Sequence, residues 1–97
     1  MSFNHAYEGE FYNQLGVHSI DSMHRKGRLD FSRTREGKNV LHWAVVRNDL
    51  DVVERLLSYG ADIQVETEDA VGPISLAAKY GHEELLDQLV ESLLEQM

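Results

Sequence analysis

The sequence predicts an all-α protein, built as a solenoid of about three helix–turn–helix units. Three observations predict this fold class. The chain repeats itself at a fixed period, apolar side chains recur at helical spacing within each repeat, and residues suited to tight turns separate the predicted helices. About three units are the minimum for a stable stack, because each unit can bury its apolar face only against its neighbours.

The repeat is clearest between residues 33–46, RTREGKNVLHWAVV, and residues 66–79, ETEDAVGPISLAAK. Apolar and small side chains recur at matching positions, and Ala44 and Ala77 occupy the centres of the two segments. Small side chains at these centres would let neighbouring helices approach closely.

The predicted helices and turns follow in the same order in each unit. The first helices run from 40 to 47 and from 73 to 80, and Pro73 suits a first helical turn, where its missing N–H costs nothing. The turn that follows needs positive φ, which Asn48 tolerates and Gly81 adopts freely. The second helices carry apolar stripes along one face, formed by Val52, Val53, Leu56 and Leu57 and by Leu85, Leu86, Leu89, Val90, Leu93 and Leu94.

These residues resemble a known family. Residues 37–63, GKNVLHWAVVRNDLDVVERLLSYGADI, are similar to the ankyrin repeat, whose unit reads G-x-T-P-L-H-x-A-A-x-x-G-H-x-E-V-V-x-x-L-L-x-x-G-A-D. Residues 72–90 form a second match, and residues 11–31 resemble a degenerate earlier unit. The resemblance implies a single ankyrin repeat domain over 1–97, with units at roughly 4–36, 37–69 and 70–97.

Charge is unevenly distributed along the chain. The net charge is −8; residues 1–48 hold seven Lys or Arg against five Asp or Glu, and residues 49–97 hold two against twelve. An acidic half repels nucleic acid and anionic membranes and attracts basic surfaces, so we expect a protein partner with a basic patch. The absence of cysteine and of a signal peptide suits a cytoplasmic protein.

No catalytic motif is visible in the sequence, which contains neither H-E-x-x-H nor G-x-S-x-G nor a phosphate-binding glycine loop. We therefore predict a non-enzymatic protein without a cofactor. His18, Asp21 and His24 could share a helical face, but their spacing is loose and no fourth ligand is evident. Packing or solvent exposure accounts for these three residues better than a metal site does.

The ankyrin resemblance implies binding through hairpin tips and through the concave face of the inner helices. On this basis the candidate interaction residues are Arg33, Arg35, Lys38, Trp43, Val46, Arg47, Glu66, Glu68, Asp69, Lys79 and Tyr80. An exposed pair of Val46 and Tyr80 on adjacent units could form an apolar centre with a charged rim.

The hairpins reverse their charge from one unit to the next, since Arg33 and Arg35 correspond to Glu66 and Glu68. Corresponding positions of successive units stack in a solenoid, so one interpretation is ion pairing between repeats on an exposed rim, worth about 0–1 kcal/mol per pair. The other interpretation is a bipolar edge that orients a partner. The two are compatible.

Two side chains near the hairpin have expected structural roles. The resemblance implies that His42 joins hairpin and helix through hydrogen bonds, with Asn39 where the family has threonine. Gly72 and Ser75 replace both partners in the last unit, so that network should be weaker there. Trp43 suits core packing between units, and a partly exposed binding hot spot is the alternative.

The last helix is longer than one unit requires, because apolar residues continue past Leu93. We expect Leu93 and Leu94 to fold back onto Leu86 and Val90, and the chain to be a monomer. The alternative is an apolar end, which would indicate self-assembly or an excerpt of a longer array. A protein-binding adaptor, inhibitor or immunity-type partner is the leading functional hypothesis, and a self-assembling structural unit is the second.

Overall fold

The computed structural model describes residues 16–96, and the regular structure in this part of the chain is helical. Its helices are α1 (Val17–Arg25), α2 (Val40–Val46), α3 (Leu50–Ser58), α4 (Pro73–Lys79) and α5 (Glu83–Glu95). The starting residues of α1, α3 and α5 are evenly spaced, and the same spacing separates the start of α2 from that of α4. The predicted all-α solenoid is therefore confirmed. The first helix expected in the first unit lies upstream of 16, outside the described residues.

The helices form two layers. Inner helices α2 and α4 pack against each other, outer helix α1 packs against α3, and each inner helix of the last two units packs against its own outer helix. Leu56 and Leu89 are fully buried at equivalent positions of α3 and α5, as the repeat predicts. The core between the layers contains Ile20, Val40, Leu41, Ala44, Val45, Val52, Val53, Leu56, Ala61, Ile63, Leu76, Ala77, Leu85 and Leu89.

The turns between paired helices have the predicted backbone conformation. Asn48 and Gly81 lie at φ 58° and φ 72°, the left-handed region that Gly and Asn tolerate best. In both turns the following residue bonds back to the inner helix, with N···O distances of 3.1 Å from Asp49 to Ala44 and 2.9 Å from His82 to Ala77. These hydrogen bonds hold the end of each inner helix next to the start of its outer helix.

The inner helices begin in different ways. Asn39 caps α2, because its side chain accepts a hydrogen bond from the backbone N–H of His42. Gly72 precedes α4 and offers no side-chain cap, and Pro73 occupies the first turn. The predicted weakening of the cap in the last unit is confirmed.

Two hairpins project from the stack, and each is numbered after the unit whose inner helix it precedes. The second hairpin, residues 33–38, is closed by two backbone hydrogen bonds between Arg35 and Lys38, at 2.9 and 3.1 Å. The third hairpin, residues 66–71, is closed by a bond of 2.9 Å from Thr67 N to Val71 O. The backbone N–H of Glu68 donates to Gly37 O at 3.1 Å, so the two hairpins are stacked.

Helix α5 has 13 residues, four more than α1 or α3. Leu93 is half-buried and packs against the core, as expected. Leu94 is 62% exposed and Val90 is 39% exposed, so the expectation that Leu94 folds back onto Val90 is wrong. The helix continues to Glu95, and its geometry places Leu94 on the side turned away from the core. Within residues 16–96, no helix is both long and apolar enough to cross a bilayer.

Candidate functional site

A hydrogen-bond network around His42 fixes the base of the hairpins. The backbone N–H of Asn39 donates to His42 Nδ1 at 3.0 Å, so the ring proton is assigned to Nε2. Nε2 lies 2.8 Å from Val65 O, immediately before the third hairpin. The Asn39 amide in turn donates to Phe31 O at 3.1 Å. The structural role expected for His42 is confirmed, and Asn39 replaces the family's threonine without loss of the cap.

Burial is the main reason that the pKa of His42 is lowered. Lys38 lowers it further through charge repulsion, and the hydrogen bond to Val65 opposes the shift. His42 is therefore held neutral, as a donor to the loop that leads into the third hairpin.

Trp43 and Lys38 lie together at the foot of the second hairpin. The indole N–H of Trp43 donates to Arg35 O at 3.1 Å, and Lys38 Nζ lies 5.2 Å from the centre of the Trp43 ring, within cation–π range. Trp43 is half-buried and packs against the core. Trp43 thus packs against the core as predicted and its indole supports the hairpin, while its role as a binding hot spot stays a prediction.

The third hairpin presents acidic side chains to solvent. Glu66, Glu68 and Asp69 are all exposed. The loop is held from inside by the Thr67 hydroxyl, which accepts from Asp69 N at 3.2 Å and from Val71 N at 3.3 Å. The carboxylates therefore project into solvent from a loop whose backbone N–H groups at Asp69 and Val71 are hydrogen-bonded within the loop.

The two hairpins do not form the ion pair predicted between Arg35 and Glu68. The aliphatic part of the Glu68 side chain packs against Gly37 instead. The contact is so close that a Cβ atom added to Gly37 would lie 3.1 Å from Glu68 Cβ. Arg35 is half-buried, and its Nε atom is buried without a hydrogen-bond partner among the described residues. Close packing of the hairpins directs Glu68 along Gly37 rather than toward the guanidinium of Arg35.

The C-terminal ends of the inner helices form the remaining part of the predicted surface. Arg47, Lys79 and Tyr80 are exposed, and Val46 is half-buried. Lys79 Nζ lies 5.7 Å from the centre of the Tyr80 ring. The structure therefore places a lysine beside the predicted apolar centre.

His82 contacts both members of the predicted Val46–Tyr80 pair. Its Nε2 atom is 3.0 Å from Val46 O, and its ring is stacked 6.1 Å from that of Tyr80. Sequence reasoning missed this role of His82, although its position directly after Gly81 in the interhelical turn is a usable signal.

Sequence reasoning also missed a polar cluster between the outer helices. Arg55 Nη1 contacts the two carboxylate oxygens of Asp21 at 2.9 and 2.8 Å, and the hydroxyl of Tyr59 donates to the same carboxylate. The ring of His24 stacks on Tyr59, with centres 3.7 Å apart. The Tyr59 hydroxyl and the Arg55 guanidinium lower the pKa of Asp21.

Two of the three candidate metal ligands in the sequence belong to the Asp21 cluster. Asp21 and His24 do share a face of α1, and this face is turned toward Arg55 and Tyr59 of the next unit. Across residues 16–96, no three His, Cys, Asp or Glu side chains come together in a way that could hold a metal ion. The structure thus gives these residues a packing role between units.

Comparison with known proteins identifies the repeat. Residues 36–68 match the family model described as Ankyrin repeat. The chain is 33% identical over 55 residues to the Notch-regulated ankyrin repeat-containing proteins of Xenopus tropicalis and Homo sapiens, which covers 57% of this chain and 48% of each relative. It is 40% identical over 65 residues to the poly(ADP-ribose) polymerase tankyrase of Caenorhabditis elegans, which covers 62% of this chain and 3% of that protein.

The chain thus spans about half the length of the Notch-regulated relatives that it matches. The matched family segment coincides with the unit that contains α2, α3 and the His42 network. Ankyrin repeats imply protein–protein interaction and are in general non-enzymatic. Inner and outer helices recur at one fixed period, and the family's L-H pair is joined to the next hairpin, so residues 36–68 match the ankyrin repeat and the rest of the described chain continues its helical pattern.

Proposed function

We propose that this chain is a non-enzymatic protein-binding module, acting as a small ankyrin adaptor, inhibitor or immunity-type partner. It binds through the tips of the second and third hairpins and the concave face of α2 and α4. The observation that carries the proposal is the stacked pair of hairpins. Their backbones are bonded to each other, while Glu66, Glu68 and Asp69 remain exposed.

Charge on the two hairpins favours a partner that is itself polarised. The second hairpin and the ends of the inner helices contribute Arg33, Arg35, Lys38, Arg47 and Lys79 against one acid, Glu36, whereas the charged residues of the third hairpin are all acids. A basic patch on the partner would meet Glu66, Glu68 and Asp69, which fixes the direction in which the partner lies across the edge. Since these acids are exposed, the attraction should weaken with salt.

The inner-helix ends supply the less polar part of the proposed surface. Tyr80 is 45% exposed, and aromatic side chains of this kind often dominate binding energy when a partner covers them. Tyr80 lies beside Lys79 and His82, so it is held by neighbours before a partner arrives. A partly fixed aromatic ring costs less entropy on binding than a free one does.

We further propose that residues 1–97 form one domain, with units at roughly 4–36, 37–69 and 70–97, and that the protein is a cytoplasmic monomer. The constant spacing of equivalent helices supports the unit boundaries from the second unit onward. The second candidate function is a structural unit that self-associates through its last helix; the exposed side chains of Val90 and Leu94 support it, and the five acids of the same helix oppose it.

Affinity capture from a lysate of the source organism tests the interaction surface. Baits carrying Arg35→Glu, Tyr80→Ala or the pair Glu66→Lys and Glu68→Lys should lose partners that the unaltered chain retains at low salt. The matched control reverses the charge of Asp51 and Glu54, two exposed acids on outer helix α3. If the control loses the same partners, or if the three baits lose none, the hairpin edge and the concave face are not the binding surface.

A further inference from the structure

The last unit exposes apolar positions that the preceding unit buries. Val53 and Ala61 are 0% and 7% exposed, whereas their counterparts in the next repeat are half-buried Leu86 and 62% exposed Leu94. Leu41 and Val45 are likewise fully buried, whereas their counterparts Ile74 and Ala78 are half-buried and exposed. We call the resulting apolar surface of the last unit the end face; it is formed by Ile74, Ala78, Leu86, Val90 and Leu94.

The end face consists of two neighbouring apolar stripes, one on each helix of the last unit. Leu86, Val90 and Leu94 are four residues apart on α5 and so form one stripe, and Ile74 and Ala78 form a second stripe on α4. The two helices pack side by side. Two adjacent apolar stripes suit a third, amphipathic helix.

Charge decides which helix fits the end face. Helix α5 carries five acids and neither Lys nor Arg, and all five acids are exposed. Glu83 and Asp87 precede Val90 and Leu94 by seven residues and therefore lie beside the apolar stripe. A second copy of this chain would bring the same acids against each other, which disfavours self-association through this face. Flanking Lys and Arg would instead pair with them.

We infer that the end face binds an amphipathic helix of a partner protein, with an apolar stripe flanked by Lys and Arg. The inference rests on the proposed function as a protein-binding module, and it adds a surface that the hairpins and the concave face do not contain. Ala78 and Leu94 are exposed already, so binding requires no rearrangement of the stack.

Three synthetic peptides of about 18 residues, long enough for five helical turns, test the inference with the full chain. The first has a Leu and Ala stripe flanked by Lys, the second has the same stripe flanked by Glu, and the third has the composition of the first with the stripe scrambled. Fluorescence anisotropy should show the first binding at least about tenfold more tightly than either of the others. Its affinity should fall as salt is raised to about 0.5 M.

Variants of the chain locate the bound peptide. The pair Val90→Asp and Leu94→Asp should weaken binding of the first peptide by about tenfold or more, and Glu83→Lys with Asp87→Lys should do the same. Ala78→Glu provides an independent change on α4, and circular dichroism checks that each variant is folded. Glu66→Lys with Glu68→Lys, on the third hairpin, should change the affinity by less than about threefold.

Three results would overturn the inference. Equal binding of the first and scrambled peptides would show attraction by net charge alone. Loss of binding in the hairpin variant rather than the end-face variants would assign the peptide to the hairpin edge, which leaves the proposed function intact. A concentration-dependent mass in sedimentation, abolished by the Val90 and Leu94 changes, would assign the face to a second copy. Conversely, peptide binding at the end face would stand even if the hairpin baits lost no partner.

Discussion

His42 Nε2 lies 2.8 Å from the carbonyl oxygen of Val65, and this contact joins the start of an inner helix to the third hairpin. Since Asn39 N–H donates to Nδ1, the second ring nitrogen donates to Val65. One buried side chain thus connects the helix cap to the loop that presents Glu66 and Glu68. The geometry of the candidate site depends on the protonation and integrity of His42.

His42→Ala should lower the free energy of unfolding by about 3 kcal/mol, because it leaves the N–H of buried Asn39 and the carbonyl of Val65 without their partner. Urea unfolding followed by circular dichroism measures the change. His18→Ala, at an exposed position of α1, is the control and should stay within about 0.5 kcal/mol. Equal effects of the two substitutions would show that the network contributes no stability.

Stability should fall as the pH drops below the ordinary histidine pKa of 6.5, because the pKa of His42 is lowered in the folded protein. Between the folded and unfolded pKa values the unfolded chain binds more protons, so acid favours unfolding. His42 therefore contributes stability that is present above pH 6.5 and is lost as the pH falls toward the folded pKa. Urea unfolding across this range should show a weaker pH dependence in His42→Gln. An unchanged dependence would mean that another group is responsible.

The repeat made much of the fold predictable. The register of α2 to α5, the positive φ of Asn48 and Gly81 and the burial of Leu56 and Leu89 all follow from residues that recur at the period of the repeat. Those features depend on backbone geometry and on apolar periodicity, both of which a single sequence displays.

Contacts that break the repeat were not predictable. Asp21 meets Arg55 and Tyr59, which are 34 and 38 residues later and so do not occupy its equivalent position in the next unit. The length and direction of these side chains decide the cluster, and periodicity carries no information about either. The predicted ion pair between Arg35 and Glu68 is absent for a different reason. The repeat predicts that the hairpins stack, but it does not predict how closely Glu68 approaches Gly37. Which of the eleven candidate residues touch a partner stays a prediction.

Asp21→Asn should destabilise the protein and should do so less when Arg55 is already Gln, because the two side chains interact directly. A double-mutant cycle by thermal unfolding measures this coupling, which should shrink at high salt. The pKa of Asp21 is lowered in the folded state, so its contribution is present above pH 3.8 and is lost as the pH falls through the folded value. Additive effects of the two changes would show that the ion pair between α1 and α3 contributes nothing.

Gly72→Asn should raise the free energy of unfolding by about 0.5–1 kcal/mol, because it restores a side-chain cap to α4 and reduces the freedom of the unfolded chain. Gly72 has φ −86° and ψ 172°, which other residues adopt without strain, and an added side chain carbon would have 4.0 Å of clearance from Val65 O. Chemical denaturation measures the gain. Gly81→Ala is the contrast: at φ 72° it should cost about 1 kcal/mol. Stabilisation by both changes would contradict the assigned backbone conformations.

Leu89→Ala and Leu94→Ala make the same chemical change on one helix and should have very different effects. Leu89 is fully buried between the two layers, so its truncation should cost about 3 kcal/mol through lost apolar contact and a residual cavity. Leu94 is 62% exposed, so its truncation should change stability by less than about 0.5 kcal/mol. Chemical denaturation followed by the fluorescence of the single tryptophan, Trp43, measures both. Comparable losses would mean that the end face is covered in the free protein, which would contradict both the stack and the inferred helix site.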